Sequence, residues 1–321
     1  MRRILLAGAT GLICSLTISH LANAADVPAQ APAATTPPPF FLFSSTVLEY
    51  RFEPQGTDTG FPHFFPKQIA NITHVDAYQY GTNFISVDVL KSTGADPAAP
   101  ATTSFTGEGS TEVFATYRAT FSGNAVTHSH MFSYGFIKDL SLEYGGDLES
   151  QNTAFAPQQT DFVVGPQLSF DVPGVFTLSA MLYKEYNHNG IAQGLGLPNN
   201  PDYNAASGRV SFQPTVQFEA VYLQPLNKWT GLPLTFNGFT IANLPKGVDG
   251  FNVQTRTEVL TSNRLTLDVG SYFGHPKVID GFVGYKFWLN KFGANATYGS
   301  TGFTPGSYEN QAYVGFDYHL N

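Results

Sequence analysis

The end of the chain alternates between apolar and polar side chains with almost no exception. The apolar face of residues 311–321 consists of Ala312, Val314, Phe316, Tyr318 and Leu320. Because successive side chains of a β-strand point to opposite faces, this pattern predicts a strand with one apolar and one polar side. A last strand of this kind is typical of a transmembrane β-barrel, which it closes by pairing with the first strand.

Similar alternating segments recur along the chain, separated by turns rich in Gly, Asn, Asp and Pro. This spacing predicts an all-β fold, a transmembrane antiparallel β-barrel of about twelve strands. An alternative division splits 254–270 into two strands and adds 292–298, which gives fourteen. The twelve predicted strands are 45–52, 71–79, 84–91, 111–121, 132–147, 161–171, 175–187, 209–223, 234–244, 254–270, 279–289 and 311–320.

Each predicted strand has one apolar face and one mixed face. In 111–121, Val113 and Tyr117 lie on the apolar face, opposite Glu112 and Arg118. A membrane barrel turns its apolar faces to lipid, so the mixed faces are expected to line the lumen.

The predicted strand 209–223 has a lipid face that includes Val210 and Phe212. Pro214 lies within it and cannot donate a hydrogen bond to a neighbouring strand. A bulge or a kink is therefore expected at this proline.

The start of the chain resembles an export signal. Arg2 and Arg3 precede an apolar run over 4–17, and Ala-Asn-Ala at 22–24 is a typical cleavage pattern. We therefore expect a cleaved signal peptide at 1–24, a lead-in rich in Pro and Ala at 25–43, and an outer-membrane barrel at 44–321. Cys14 is the only cysteine and would leave with the signal, so thiol chemistry is not expected in the mature chain.

Composition supports a membrane protein. Charged residues make up 12% of the chain and aromatic residues 14%, whereas roughly a quarter of the residues in soluble domains are charged. The chain has 16 Lys and Arg residues and 24 Asp and Glu residues. Loss of Arg2 and Arg3 with the signal would leave 14 basic residues, which gives the mature chain a net charge of −10. This balance argues against nucleic acid as a partner.

Several segments resemble the Tsx-like family of nucleoside-specific channels. The most specific is H-V-D-A-Y-Q-Y-G-T-N-F at 74–84, followed by V-D-V-L-K-S at 87–92 and D-P-A at 96–98. Shorter similarities are E-V-F at 112–114 with Tyr117 and Arg118, then 226–243 and Q-T-R-T at 254–257. The resemblance implies a monomeric twelve-stranded barrel in a Gram-negative outer membrane, with a narrow pore through which nucleosides and deoxynucleosides diffuse passively.

A lumen that binds nucleosides needs aromatic faces for the base and acceptor groups for the sugar hydroxyls. A competing interpretation is that inward charges pair with one another and stiffen the barrel; Arg118 and Arg256 would then be the counter-ions of Glu112 and Glu143. The candidate ligand-binding residues of the lumen are Phe84, Asp88, Glu112, Phe114, Arg118, Glu143, Glu219, Arg256, Asp268 and Tyr272.

Other chemistry has little support in the sequence. His128 and His130 have a spacing that can hold a metal, but a third ligand is not found nearby. We expect neither a cofactor nor an enzymatic activity, because the usual nucleophile and phosphate-loop motifs are missing. Other aromatic residues are expected in girdles at the lipid headgroups. Those near predicted strand ends are Tyr50, Phe52, Tyr144, Tyr222, Phe287 and Trp288.

The leading functional hypothesis is a passive channel for nucleosides or similar small polar solutes. Two alternatives remain: a general or other-solute channel on the same barrel, and a structural or surface-interaction barrel with a plugged lumen. An open path lined by aromatic and carboxylate groups would favour transport, and a lumen filled by Arg–Glu pairs would favour the structural role.

Overall fold

The computed structural model describes residues 40–94, 96, 109–153 and 156–320, and within them twelve long strands form a closed antiparallel barrel. The predicted all-β barrel is therefore confirmed. The strands are β1 (Phe41–Gly56), β2 (Phe65–Tyr78), β3 (Gly81–Ser92), β4 (Thr111–Ser122), β5 (Ile137–Gln151), β6 (Gln158–Phe170), β7 (Val175–His188), β8 (Tyr203–Asn204), β9 (Arg209–Ser211), β10 (Thr215–Pro225), β11 (Leu234–Asn243), β12 (Glu258–Asp268), β13 (Ile279–Leu289) and β14 (Tyr308–His319).

The barrel closes between its first and last strands, as the alternation at the end of the chain predicts. Val47 pairs with His319 and Phe52 with Val314 in an antiparallel register. Each strand pairs with its neighbour in sequence, except that β7 pairs with β10 because β8 and β9 form a small hairpin beside β7. The predicted signal peptide at 1–24 and nearly all of the lead-in lie outside the described residues.

The connections at one end of the barrel are longer on average than those at the other end, although 123–136 is an exception. The loop end carries 57–64, 93–110, 152–157, 189–214, 244–257 and 290–307, and the turn end carries 79–80, 123–136, 171–174, 226–233 and 269–278. Short helices lie in these connections: α1 (Gly123–Thr127), α2 (Gly190–Gly194), α3 (Asn227–Thr230) and two 3-10 helices (Gly270–Phe273 and Lys291–Gly293). In the described part of the chain, every helix is too short and too polar to cross a membrane.

The predicted strand start at residue 132 was wrong, whereas the division into twelve long strands was confirmed. The segment 132–147 begins as a strand only at Ile137, because the Ser122 hydroxyl accepts a hydrogen bond from the Ala125 N–H and starts α1. The segment 254–270 contains the single strand β12, and 292–298 contains no strand. The barrel therefore has twelve strands rather than fourteen.

Pro214 produces the predicted irregularity. Ser211 pairs with Tyr186 and Thr215 with Tyr183, so three residues between them oppose only two on β7. Such a one-residue excess is a β-bulge. It separates β9 from β10 and turns Phe212 away from the outer surface.

The outer surface of the barrel is apolar. On β1, Leu48, Tyr50 and Phe52 are exposed, whereas Glu49 and Arg51 between them are buried in the interior. The same inversion holds on β14, where Phe316 is exposed. A surface of this kind is suited to lipid.

Two predicted outward residues instead belong to a packed cluster at the loop end. Val210 and Phe212 are 2% and 3% exposed and pack with Ala192 and Tyr203. Their alternation in the sequence resembles that of a lipid-facing strand. The chain leaves the barrel wall at the bulge, however, so strand periodicity no longer distinguishes the inner from the outer face there.

Candidate functional site

The half of the interior next to the turn end is filled by small polar side chains. Each of them is at most 5% exposed, so solvent hardly reaches this half. Neighbouring hydroxyl groups bond across strands, for example Thr82 and Thr120 with 2.8 Å between their Oγ1 atoms. The inward residues here include Thr73, Thr82, Ser86, Thr120, Ser141, Gln167, Ser169, Thr177, Ser179 and Thr266.

The half next to the loop end contains a cavity whose empty space, open solvent included, is about 800 Å³. Every barrel strand except β2 and β14 contributes to its wall. The lining comprises seven carboxylates, two cations, four aromatic residues and six others. They are Glu53, Asp88, Glu112, Asp147, Glu149, Asp161 and Glu258; Arg51 and Lys286; Phe114, Tyr183, Trp288 and Phe292; and Leu90, Gln159, Gln217, Ile241, Asn243 and Leu260.

Arg51, one of the two cavity cations, is held by carboxylates on three sides. Its Nε lies 3.0 Å from Glu53 Oε1 and its Nη2 lies 3.2 Å from Asp88 Oδ2, while Nη1 contacts Glu49. Because all of its nitrogens already have anionic partners, Arg51 has little capacity to attract an anionic solute.

Lys286, the second cavity cation, is also neutralised. Its ammonium contacts Glu53 and lies 2.7 Å from Glu309 Oε1. The seven acidic side chains of the cavity wall therefore outnumber its two cations, and both cations already have acidic partners.

One carboxylate of the cavity wall is available to a solute. Within the described part of the chain, Glu149 makes neither a hydrogen bond nor an ion pair, although it lines the cavity. A free carboxylate is a strong acceptor for hydroxyl or ammonium groups.

The aromatic residues of the cavity are fixed in place. Trp288 Nε1 donates a 2.7 Å hydrogen bond to Glu258 Oε1, and the Phe292 N–H donates to the same oxygen at 3.0 Å. The two rings pack edge to face with centroids 5.2 Å apart. Tyr183 donates to Glu185 in another part of the wall. These contacts give the cavity rigid aromatic surfaces.

Lysine residues fix the loops to the rim of the cavity. Lys246, in 244–257, pairs with Glu185 on β7 and lies 4.7 Å above the Phe212 ring. Lys291, in 290–307, donates to the Thr57 carbonyl oxygen and to Glu309, each at 2.7 Å. The loops are thereby held at the wall of the barrel.

Asp58, in the loop 57–64, joins this rim network through Lys67, whose Nζ lies 3.4 Å from Asp58 Oδ1. Burial would raise the pKa of the Asp58 carboxyl, but the ammonium groups of Lys67 and Lys291 outweigh that effect and lower the pKa. The carboxyl therefore stays ionised at neutral pH and holds Lys67 at the rim.

The predicted lumen residues fall at different heights of the interior. Asp88, Glu112 and Phe114 line the cavity. Phe84 lies nearer the turn end and packs against Val75.

Three further predicted lumen residues lie in the interior outside the lining of the cavity. Arg118, Glu143 and Glu219 are almost fully buried, with exposures of 1%, 0% and 3%. They form part of the polar filling on the side of β4, β5 and β10.

Three other predicted lumen positions were wrong. Arg256 is exposed in 244–257, and Tyr272 is 58% exposed in a 3-10 helix of the turn end. Asp268 is the last residue of β12 and accepts backbone N–H groups of Ser271 and Lys277, each at 3.0 Å. All three lie at or beyond strand ends, where alternation does not determine the direction of a side chain.

The predicted counter-ion pairs were also wrong. Arg118 binds Asp147, and Glu112 binds Lys67 at 3.2 Å. Glu143 has neutral partners instead, the Gln167 amide and the Ser179 hydroxyl. Sequence alternation places these groups in the interior but does not specify which strands lie opposite one another.

The sequence analysis missed important cavity residues. Trp288 was assigned to a headgroup girdle, but it points inward beside Lys286 and Phe282 on the same face of β13. The charged residues Asp280 and Lys286 at even positions of 279–289 already indicated that this face lines the interior. Tyr183 and Glu258 also line the cavity but were not among the predicted lumen residues.

Comparison with known proteins shows only distant similarity. No family model matches the chain, and no curated protein matches it. Among solved structures, the KdgM porin aligns with a TM-score of 0.38 and 11% identity, over 86% of this chain and 99% of that one. The translocator domain of the autotransporter NalP from Neisseria meningitidis aligns with a TM-score of 0.37 and 14% identity, over 86% and 88%. The fold assignment follows from the strand pairing of the chain itself.

Proposed function

We propose that the protein is an outer-membrane channel for passive diffusion of small neutral or cationic polar solutes, with nucleosides as its preferred substrates. The observation that carries this proposal is the cavity at the loop end, which combines rigid aromatic rings with an excess of carboxylates. Its lining suits a solute with one flat apolar part and several hydrogen-bond donors.

A nucleoside has these properties. Its base can stack on Trp288, Phe114 or Phe292, since every base has a π-face that aromatic rings accept. Its ribose hydroxyls can donate to Glu149, Glu112 or other carboxylates of the wall. Such contacts with a neutral molecule are weak enough for release, as diffusion through a channel requires.

The same cavity disfavours anionic solutes. Both cations of the lining already have carboxylate partners, and neither forms an ion pair with Glu149 among the described residues. A phosphate group would therefore meet repulsion without a free cation to bind it. We expect nucleosides to enter more readily than nucleotides.

The apolar outer surface supports a location in the lipid of a Gram-negative outer membrane. The closed barrel of the described chain leaves no unpaired strand edge, which is consistent with a monomer. The predicted signal peptide would direct export to that membrane.

Uptake into proteoliposomes tests this proposal. The purified barrel should admit adenosine faster than adenosine monophosphate, and the difference should decrease when salt screens the carboxylates. Glu149→Gln should reduce the discrimination, whereas Arg209→Gln on the exposed strand β9 is a matched control for a charge outside the cavity. Equal rates for both solutes would contradict the proposed selectivity.

A structural or surface-interaction barrel is the second candidate, because the turn half is filled by buried polar side chains. In that case the cavity would end inside the barrel. Proteoliposomes would then admit neither solute above the level of protein-free vesicles.

A further inference from the structure

Two buried carboxylates meet on the wall formed by β5, β6, β7 and β10. Glu219 on β10 is opposite Ser179 on β7 in the strand register, and the Ser179 hydroxyl donates to Glu143 on β5. The exposures of Glu143 and Glu219 are 0% and 3%. Two negative groups are thus placed side by side, away from solvent and below the cavity.

Several oxygen atoms at this place have no hydrogen-bond donor within the described part of the chain. They are Oε1 of Glu143 and both carboxylate oxygens of Glu219. The side-chain oxygen of Gln167, which is fully buried, is also without a partner. The nitrogen of the same amide donates to Glu143 at 2.8 Å, so the orphaned oxygen belongs to an amide already bound to one of the two carboxylates.

The neighbouring cation does not neutralise this pair. Arg118 Nε lies 3.7 Å from Glu219 Oε2, but both terminal nitrogens of Arg118 bind Asp147 at 3.0 Å. One guanidinium therefore serves two carboxylates, Asp147 and Glu219, and makes no ion pair with Glu143 among the described residues. Burial of the remaining negative charge is unfavourable unless a positive group compensates it.

We propose that a monovalent alkali cation, Na⁺ or K⁺, binds between Glu143 and Glu219. Its ligands are the free carboxylate oxygens and the orphaned side-chain oxygen of Gln167, all hard donors of the kind that such ions accept. Within the described residues, a group of three or more His, Cys, Asp or Glu suited to a metal is not formed. A monovalent charge suits the place because Arg118 already lies 3.7 Å from Glu219 and offsets part of the negative charge.

A cation at this position joins β5 to β10 across the two strands between them. It compensates the negative charge of Glu143 and Glu219 at the boundary between the cavity and the filled half of the interior. This inference does not depend on which solute, if any, crosses the barrel.

Thermal unfolding of the barrel, extracted from membranes in detergent, tests the site. Tm is measured by circular dichroism in NaCl, KCl and N-methyl-D-glucamine chloride at equal ionic strength, since the organic cation is too large for a buried site. We expect a saturable increase in Tm with Na⁺ or K⁺. The double variant Glu143→Gln with Glu219→Gln should lose this increase.

Glu149→Gln is the matched control, because Glu149 lies on the same face of β5 as Glu143 but lines the cavity. It should keep the full cation-dependent increase in Tm. Gln167→Met, which removes only the neutral ligand, should raise the cation concentration needed for half of the effect, and it provides a test should the double variant not fold.

Three results would overturn the proposal. They are equal Tm values in all three salts, a cation effect that persists in the double variant, and an equal loss in Glu149→Gln. An increase with CaCl₂ but not with NaCl or KCl would likewise reject a monovalent site, and stabilisation by acid alone would indicate a bound proton instead.

Discussion

Arg118 and Asp147 form a two-bond ion pair inside the barrel, and the pair depends on the glycine that lies between them. Nη1 and Nη2 of Arg118 each lie 3.0 Å from one carboxylate oxygen of Asp147. Arg118 is opposite Gly145 in the register, and a Cβ added there would lie 3.0 Å from Arg118 Cδ. The long side chain can therefore run along β5 only because residue 145 has no side chain.

Gly145→Ala should destabilise the barrel. The added methyl group would lie 2.0 Å from the Tyr117 carbonyl oxygen and would also push Arg118 away from Asp147. Overpacking of this kind typically costs about 1–3 kcal/mol in the free energy of unfolding, which urea titration of the refolded barrel can measure. Gly194→Ala is the control, because a Cβ there meets no atom within 4 Å. Equal stability of the two variants would contradict this account.

Arg118→Met should be more damaging than Arg118→Lys. Methionine leaves Asp147 buried without its counter-ion, and loss of one partner of a buried pair costs about 3–5 kcal/mol. Lysine keeps the charge but cannot bind both oxygens of Asp147. The same urea titration measures both variants. A smaller loss for Arg118→Met than for Arg118→Lys would show that the charge of this residue does not stabilise the interior.

Trp288 provides an optical signal for binding in the cavity. The chain has two tryptophans, and the other, Trp229, is 72% exposed at the turn end. In a Trp229→Phe variant, adenosine should quench the remaining fluorescence in a saturable manner, because the base stacks near the indole. Adenosine monophosphate should require a much higher concentration.

The reciprocal variant, Trp288→Phe, is the control for this titration. Its fluorescence comes from Trp229 and should not respond to adenosine beyond the inner-filter correction. Equal quenching in both variants would mean that the base does not bind in the cavity.

Lys246→Met should release the loop 244–257 from the barrel wall. The variant loses the ion pair with Glu185 and the contact with the Phe212 ring. Chymotrypsin should then cut faster after Phe251, which lies in the same loop and is 42% exposed. Lys228→Met, at the exposed α3, removes a lysine without such contacts. If both variants are cut at the same rate, Lys246 does not hold the loop.

The sequence predicted the wall of the barrel better than its interior. Alternation identified the strands and their faces because lipid imposes an apolar residue at every second position, as at Ile85 and Val89. The sequence also located the bulge, since Pro214 has no N–H group to donate to the neighbouring strand. These features depend on near neighbours in the chain.

The contents of the interior depend on strands that are far apart in sequence. Arg264 binds Glu49 across the barrel at 2.8 Å, a pairing that requires both the strand order and the shear of the barrel. Alternation could not distinguish Asp88, which lines the cavity, from Glu143, which lies below it. It failed altogether at Arg256 and Tyr272, which are outside the strands.

Single-channel conductance in a planar bilayer tests the central claim most directly. The purified barrel should conduct in salt, and adenosine or thymidine should block the current in a saturable manner, while a sugar of similar size should not. Conductance without block by nucleosides would contradict a nucleoside-selective cavity. A barrel that inserts but conducts no current would contradict the channel itself.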